Sequence, residues 1–157
     1  MTTSLKRAGT VLLSVLLLCT LALSAGAASK LRVGVKFWKT DSDKESMANS
    51  GIDTSREASL TRQSNGTYTL TLPIQQVSKM GVTGYLTGLT IGDVTYDGTL
   101  TGDFEKSTAS LTIKNLPASV LTGSDVNKAL TVTCNIQMDL SLLGEINTSA
   151  RMCIWNK

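Results

Sequence analysis

Histidine is absent from all 157 residues. That removes the commonest general base, proton shuttle and metal ligand at one stroke. A serine or cysteine nucleophile activated by imidazole cannot be assembled within this chain. Cysteine is scarce, at three residues, and Cys19 lies in the N-terminal apolar run. The remaining pair, Cys134 and Cys153, makes a poor zinc set without imidazole. There is no nucleophile elbow and no convincing carboxylate pair, so the chain is expected not to be an enzyme. Net charge is small as well. The chain has 15 basic and 12 acidic residues, and two of the basic ones, Lys6 and Arg7, precede the apolar run. The chain beyond that run is nearly neutral and carries no electrostatic footprint for nucleic acid. Internal repeats, linkers and a second apolar span are missing too.

The chain is expected to begin with a leader. Lys6 and Arg7 are followed by the apolar run Val11 to Leu18, broken only by Ser14, which continues through Leu21 and Leu23 to Ala25-Gly26-Ala27. A basic start, a short apolar stretch and an A-x-A ending are the marks of a cleavable secretory signal peptide. The run is shorter than the ~20 residues that span a bilayer. Residues 1–27 are therefore expected to be the signal peptide, and residues 28–157 one domain without a membrane span. The expected location is secreted or extracellular, with association to the cell wall as one form of it. Leu18 before Cys19 does not suit a lipoprotein signal. Export permits a disulfide without requiring one.

From Leu31 onward the sequence reads as strands, rich in Thr, Val, Leu and Ile and punctuated by Gly, Asn and Asp. Leu31, Val33, Val35 and Phe37 share one face. Thr40 to Ser50 is polar and acidic, with a short helical candidate around Ser46-Met47-Ala48. Ala58 and Leu60 alternate with polar neighbours, and Asn65-Gly66 offers a hairpin turn. Tyr68, Leu70 and Leu72 come next, and Pro73 closes that strand. Met80 to Ile91 is apolar and glycine-rich. Asp97-Gly98 reads as a second turn. Ala109, Leu111 and Ile113 alternate; Pro117 and Gly123 mark a longer connection. Leu130, Val132, Cys134, Ile136 and Met138 give the clearest alternation. After a loop at Leu143-Gly144 comes a last strand, Thr148 to Trp155. Seven to nine short strands imply an all-β antiparallel sandwich or barrel.

Several stretches then resemble one family. Lys36-Phe37-Trp38-Lys39 ends the first strand, and Asp41-Ser42-Asp43-Lys44 and Ser46-Met47-Ala48-Asn49 come after it. Met80-Gly81-Val82-Thr83-Gly84-Tyr85-Leu86 lies further on, and the chain closes with Ala150-Arg151-Met152-Cys153-Ile154-Trp155. In order and spacing this is similar to the NEAT (near-iron-transporter) surface domains of Gram-positive bacteria, of a divergent clostridial type. The resemblance implies an immunoglobulin-like antiparallel β-sandwich with a short 3-10 helical turn after the first strand. It also implies haem held between that turn and the final hairpin, and a role in haem or iron acquisition. Ser46 would contact a propionate, a hydroxyl beside free N–H groups being suited to a carboxylate. Met47 and Ala48 would cover one face of the ring.

The chain departs from the family at the iron ligand. Haem-binding members carry Tyr-x-x-x-Tyr on the last strand; here Thr148 to Trp155 has no tyrosine, and Tyr68, Tyr85 and Tyr96 lie elsewhere. Met138, Met152 and Cys153 are the soft donors nearby, so the resemblance implies non-tyrosine ligation. Arg151 could pair with a propionate, since guanidinium matches carboxylate geometry. The expected cofactor-binding set is Ser46, Met47, Ala48, Met138, Arg151 and Met152, with no resident metal otherwise. The expected partner is haem or a haem protein. The alternative is a cofactor-free sandwich that binds a surface protein, a host protein or a glycan.

Two further readings are local. Asp41, Asp43, Glu45 and Asp53 form an acidic cluster, but the glycine of a calcium loop is missing, which favours a solvated loop. Cys134 and Cys153 are symmetric about Leu143-Gly144, so a tight hairpin would oppose them. The alternation puts Cys134 inward and Cys153 outward, which separates them; a one-residue shift in register would reverse that.

Overall fold

A computed structural model describes residues 28–139 and 144–157. The expected signal peptide, and Leu143 in the last loop, lie outside the described residues. Nine strands succeed one another: β1 (Lys30–Trp38), β2 (Ala58–Arg62), β3 (Tyr68–Pro73), β4 (Val77–Lys79), β5 (Val82–Ile91), β6 (Val94–Thr101), β7 (Ser110–Leu116), β8 (Leu130–Met138) and β9 (Glu145–Asn156). Short 3-10 turns occupy Met47–Gly51, Ala118–Val120 and Val126–Lys128. The expected all-β antiparallel class, with a 3-10 turn after the first strand, is what forms.

Hydrogen bonding runs β5-β6-β7-β3-β2-β1-β9-β8 and returns to β5, so eight antiparallel strands close into a barrel-like ring. Closure leaves no open row of N–H and C=O groups around the ring. β4 is the exception. It pairs with Val82–Gly84 on the edge of β5 that β6 uses further along, because β8 takes the other edge. Between Leu86 and Gly88 the β5–β8 register shifts. An added Cβ at Gly88 would come 2.6 Å from the Tyr96 carbonyl, so only glycine fits there.

The interior follows the period-two pattern of the strands. Phe37, Leu60, Leu70, Leu72, Ile113 and Met152 are wholly buried, and each contributes about 1.5–3 kcal/mol by leaving water. On β9, Ala150, Met152 and Ile154 point inward as the alternation requires. Pro73 ends β3 as expected, with its N–H-free nitrogen at the last paired position.

One local expectation needs correction and two gain detail. Asp97-Gly98 is not a turn but the middle of β6; the reversal lies at Gly92-Asp93, and Gly98 makes room for the Leu111 side chain. At Asn65-Gly66 only Gly66 has positive φ. Asn65 instead accepts from the Thr67 N–H and hydroxyl, an Asx turn within a five-residue connection. The cysteines are kept apart, as the alternation favours, and the tight-hairpin opposition does not occur. The β8–β9 register sets Cys134 against Thr148, and Cys153 against Lys36 of β1. Both thiols are free and buried. Cys153 does face away from the barrel interior, yet it is covered: its Sγ lies 3.5 Å from the Asp125 carbonyl, and Gly123 N–H donates to Ile154 alongside.

Candidate ligand groove

The turn after β1 is built by its own polar side chains. Ser46 is the N-cap of Met47–Gly51, with φ −75° and ψ 149°, and its hydroxyl oxygen accepts from the Ala48 N–H at 3.3 Å. Such a cap satisfies one orphan donor of the turn. Asn49 then ties the turn to β1, while the Ser46 N–H donates to the Phe37 carbonyl at 2.9 Å. Held in this way, Met47 cannot fold inward and remains 56 % exposed.

Facing the turn is a groove of about 400 Å³. The turn gives Met47, Ala48 and Gly51 to one wall; β4 and β5 give Lys79, Met80 and Gly84 among others; the β8–β9 hairpin gives Ile136, Met138, Ile146 and Thr148. The lining is overwhelmingly apolar, and Lys79 is its one charged residue among the described residues. Gly84 pairs directly with Met138, and an added Cβ would come 2.7 Å from the Met138 sulfur. The missing side chain is what leaves the thioether room at the groove floor. Met80 and Gly81 form the β4–β5 reversal, both with positive φ (54° and 79°). Methionine is uncommon in that region, where Asn and Gly are favoured.

No family model and no curated protein sequence matches the chain. Solved structures do. The NEAT5 domain of IsdX2, a B. anthracis hemophore, in complex with heme superposes with a TM-score of 0.50 at 8 % identity, covering 83 % of this chain and 98 % of that one. A mutant of the same domain, also with heme, gives a TM-score of 0.53 at 10 % identity, with the same coverage. The fold is NEAT-like.

Within this NEAT-like fold, Met47, Ala48 and Met138 come together as walls of one groove. Ser46 caps the turn behind them and is 8 % exposed. Ser46, Arg151 and Met152 are not among the lining residues. The Arg151 guanidinium is engaged elsewhere: Nε donates to the Lys39 carbonyl, and Nη2 to the Ser42 carbonyl and the Asp43 carboxylate, each at 2.9 Å. It braces the polar loop after β1. Met152 is fully buried among the core side chains. Cys134 is buried as well, which pushes its thiol up to about 12 and makes it a poor ligand. Tyr85 does reach the lining, with its ring 5.0 Å from that of Phe104.

Sequence reasoning missed Lys79, Met80, Ile146 and Thr148 as groove residues. The signal for Met80 was a large apolar residue directly before glycine between two strands. Lys79 carried none, being one lysine among many. The acidic cluster dissolves into separate pairs: Asp43 with Arg151, Glu45 with Lys36, and Asp53 with Arg56. No cluster of three or more metal-type ligands occurs among the described residues. A second hollow of about 380 Å³, beside Asp53, Ser55, Gln75 and Phe104, is polar. Its carboxylate is already held by Ser55 and Arg56.

Proposed function

We propose that the domain is a haem-binding module of an exported protein, serving haem or iron acquisition at or beyond the cell surface. The carrying observation is the apolar groove between the Ser46-capped turn and the β8–β9 hairpin, in a fold whose solved neighbours are haem complexes. On this reading the closed ring corresponds to an immunoglobulin-like sandwich whose edges have joined. Met47 and Ala48 lie over one face of the ring, and Met138 and Ile146 against the other. Thioethers suit such a surface because they are polarizable and adapt to a flat ring. On this reading the Ser46 hydroxyl, whose oxygen accepts from the Ala48 N–H, acts by capping the turn and so setting Met47 and Ala48 against the ring. Haem would bring the iron; the chain holds the ring out of water and supplies only soft or neutral donors around it.

Titration of the purified protein with hemin, followed by the visible absorption band, tests this reading. One-to-one saturable binding that weakens in Met47→Asp is expected, because a carboxylate would then be buried against the ring. Absence of saturable binding to the wild-type protein overturns it.

A further inference from the structure

We infer that the groove recognises an anionic tetrapyrrole by apolar contact and by the Lys79 ammonium, independently of the metal at the ring's centre. The inference rests on the haem reading and adds to it what selects the ligand.

The lining decides the first half. Its sulfur donors are the thioethers of Met47, Met80 and Met138, and its remaining side-chain oxygens belong to Thr148 and Tyr85. Thioethers are soft and match ferric iron poorly; a neutral threonine hydroxyl is no better. Tyr85 pairs with Gln137, on the opposite face of β5 from the Gly84–Met138 pair, and its ring packs on Phe104. Binding energy must then come from apolar area removed from water, which is nearly the same for a ring with or without iron.

Charge decides the second half. Among the described residues the groove lining has one cation and no anion, which complements a ligand that is apolar with an acidic edge. Lys79 Nζ has as its hydrogen-bond partner the Met47 sulfur at 3.5 Å, a weak acceptor that a carboxylate would displace. Arg151, the other basic candidate, is held by the loop after β1. Met80 stands next to Lys79, 95 % exposed, in a backbone conformation that methionine rarely adopts. Strain and exposure at an apolar side chain on a groove rim are unexplained by the core. Contact with a bound ring explains both, since the β4–β5 turn then sets thioether and ammonium side by side at the ring's edge.

The experiment titrates the protein with hemin, zinc protoporphyrin and iron-free protoporphyrin IX, and repeats this with Lys79→Ala, Lys79→Glu and Lys79→Arg. Melting temperatures of the variants confirm folding. Dissociation constants for the three rings within about threefold of one another are expected, with weakening of about tenfold for all three in Lys79→Ala, more in Lys79→Glu, and recovery in Lys79→Arg. Hemin bound more than about tenfold tighter than iron-free protoporphyrin would reveal a working iron ligand and overturn the inference while leaving the haem reading intact. Equal binding by wild type and a folded Lys79→Glu would overturn the role of the ammonium. Binding of none of the rings would overturn the haem reading itself.

Discussion

The side-chain amide of Asn49 closes on both backbone groups of Phe37: Oδ1 accepts from the Phe37 N–H at 2.8 Å, and Nδ2 donates to the Phe37 carbonyl at 2.7 Å. Phe37 pairs with Met152 of β9 on one edge, and on the other, beyond the reach of β2, it is satisfied by an amide on the turn. The pair fixes where Met47 and Ala48 stand relative to β1. Asn49→Ala leaves the Phe37 N–H unpaired, while the Phe37 carbonyl keeps the Ser46 N–H, and should cost about 1–3 kcal/mol. Urea unfolding measures the loss. Asn49→Asp should cost as well, since its carboxylate can accept from Phe37 but cannot donate to it.

Gly84 sets the depth of the groove. Its added Cβ would press on the Met138 sulfur at 2.7 Å and on the Gln137 carbonyl at 3.0 Å. Gly84→Ala should drive the thioether into the groove. Hemin binding should weaken by about tenfold while stability falls by only about 1–3 kcal/mol. Titration and thermal unfolding of the same sample separate the two effects.

Arg151 and Met152 are neighbours in sequence with opposite duties, and their substitution should show it. Met152→Ala empties a fully buried site and should cost about 2–5 kcal/mol of stability. Arg151→Ala releases the loop carbonyls of Lys39 and Ser42 and the exposed Asp43 carboxylate. Its cost should be smaller, about 1–2 kcal/mol, since most of what it releases can be taken up by water. Chemical denaturation of the two variants checks the order.

The strands were legible because the period-two pattern of Leu70 and Leu72, or of Val132 and Cys134, is written in adjacent residues. So was the Ser46-Met47-Ala48 turn, whose cap and exposed thioether are local. Asp97-Gly98 misled because a glycine serving a neighbour's bulk, here Leu111, looks the same in sequence as a glycine serving a turn. The site was only half legible for a similar reason. Met138 and Met152 both fall on inward-facing positions of their strands, and alternation does not say which part of a closed ring faces the core and which the groove. Lys79 reaches the groove solely through the β4–β5 reversal and the β5–β8 pairing, both of which are tertiary facts. Arg151 looked free because its acceptors lie more than a hundred residues earlier, on the loop after β1.

Both thiols should be silent in the native protein. Cys134 is buried and its thiol raised to about 12 by burial alone, and Cys153 is sealed under the segment through Asp125. At neutral pH the thiolate is the reactive form. A chromogenic disulfide reagent should therefore label neither cysteine in buffer and both in denaturant. Rapid labelling of one thiol without denaturant would show that the cover over Cys153 opens.

Asp53 should contribute to the acid sensitivity of the fold. Its carboxyl is held below the usual 3.8, first by the Ser55 hydroxyl and then by the Arg56 guanidinium, against an opposing push from burial. Ser55 Oγ donates at 2.6 Å and Arg56 Nε at 2.7 Å. Arg56 in turn donates to the Ala109 carbonyl and to Ser110 Oγ, so the pair joins the segment before β2 to the start of β7. A carboxyl with a depressed folded value binds its proton more readily in the unfolded chain. Its stabilisation is therefore complete above the unfolded value near 3.8 and drains away as pH falls through the lower folded value. Wild-type unfolding free energy should thus be level for this group above about pH 5 and decline below about pH 4. Asp53→Asn should be less stable at neutral pH by about 1–2 kcal/mol, through loss of its charge-assisted bonds. The gap to wild type should narrow on acidification, because protonated Asp53 and the asparagine are then alike in charge. Unfolding curves at about pH 7, 4 and 2.5 measure that gap, and a constant gap across the series would place the acid-sensitive group elsewhere.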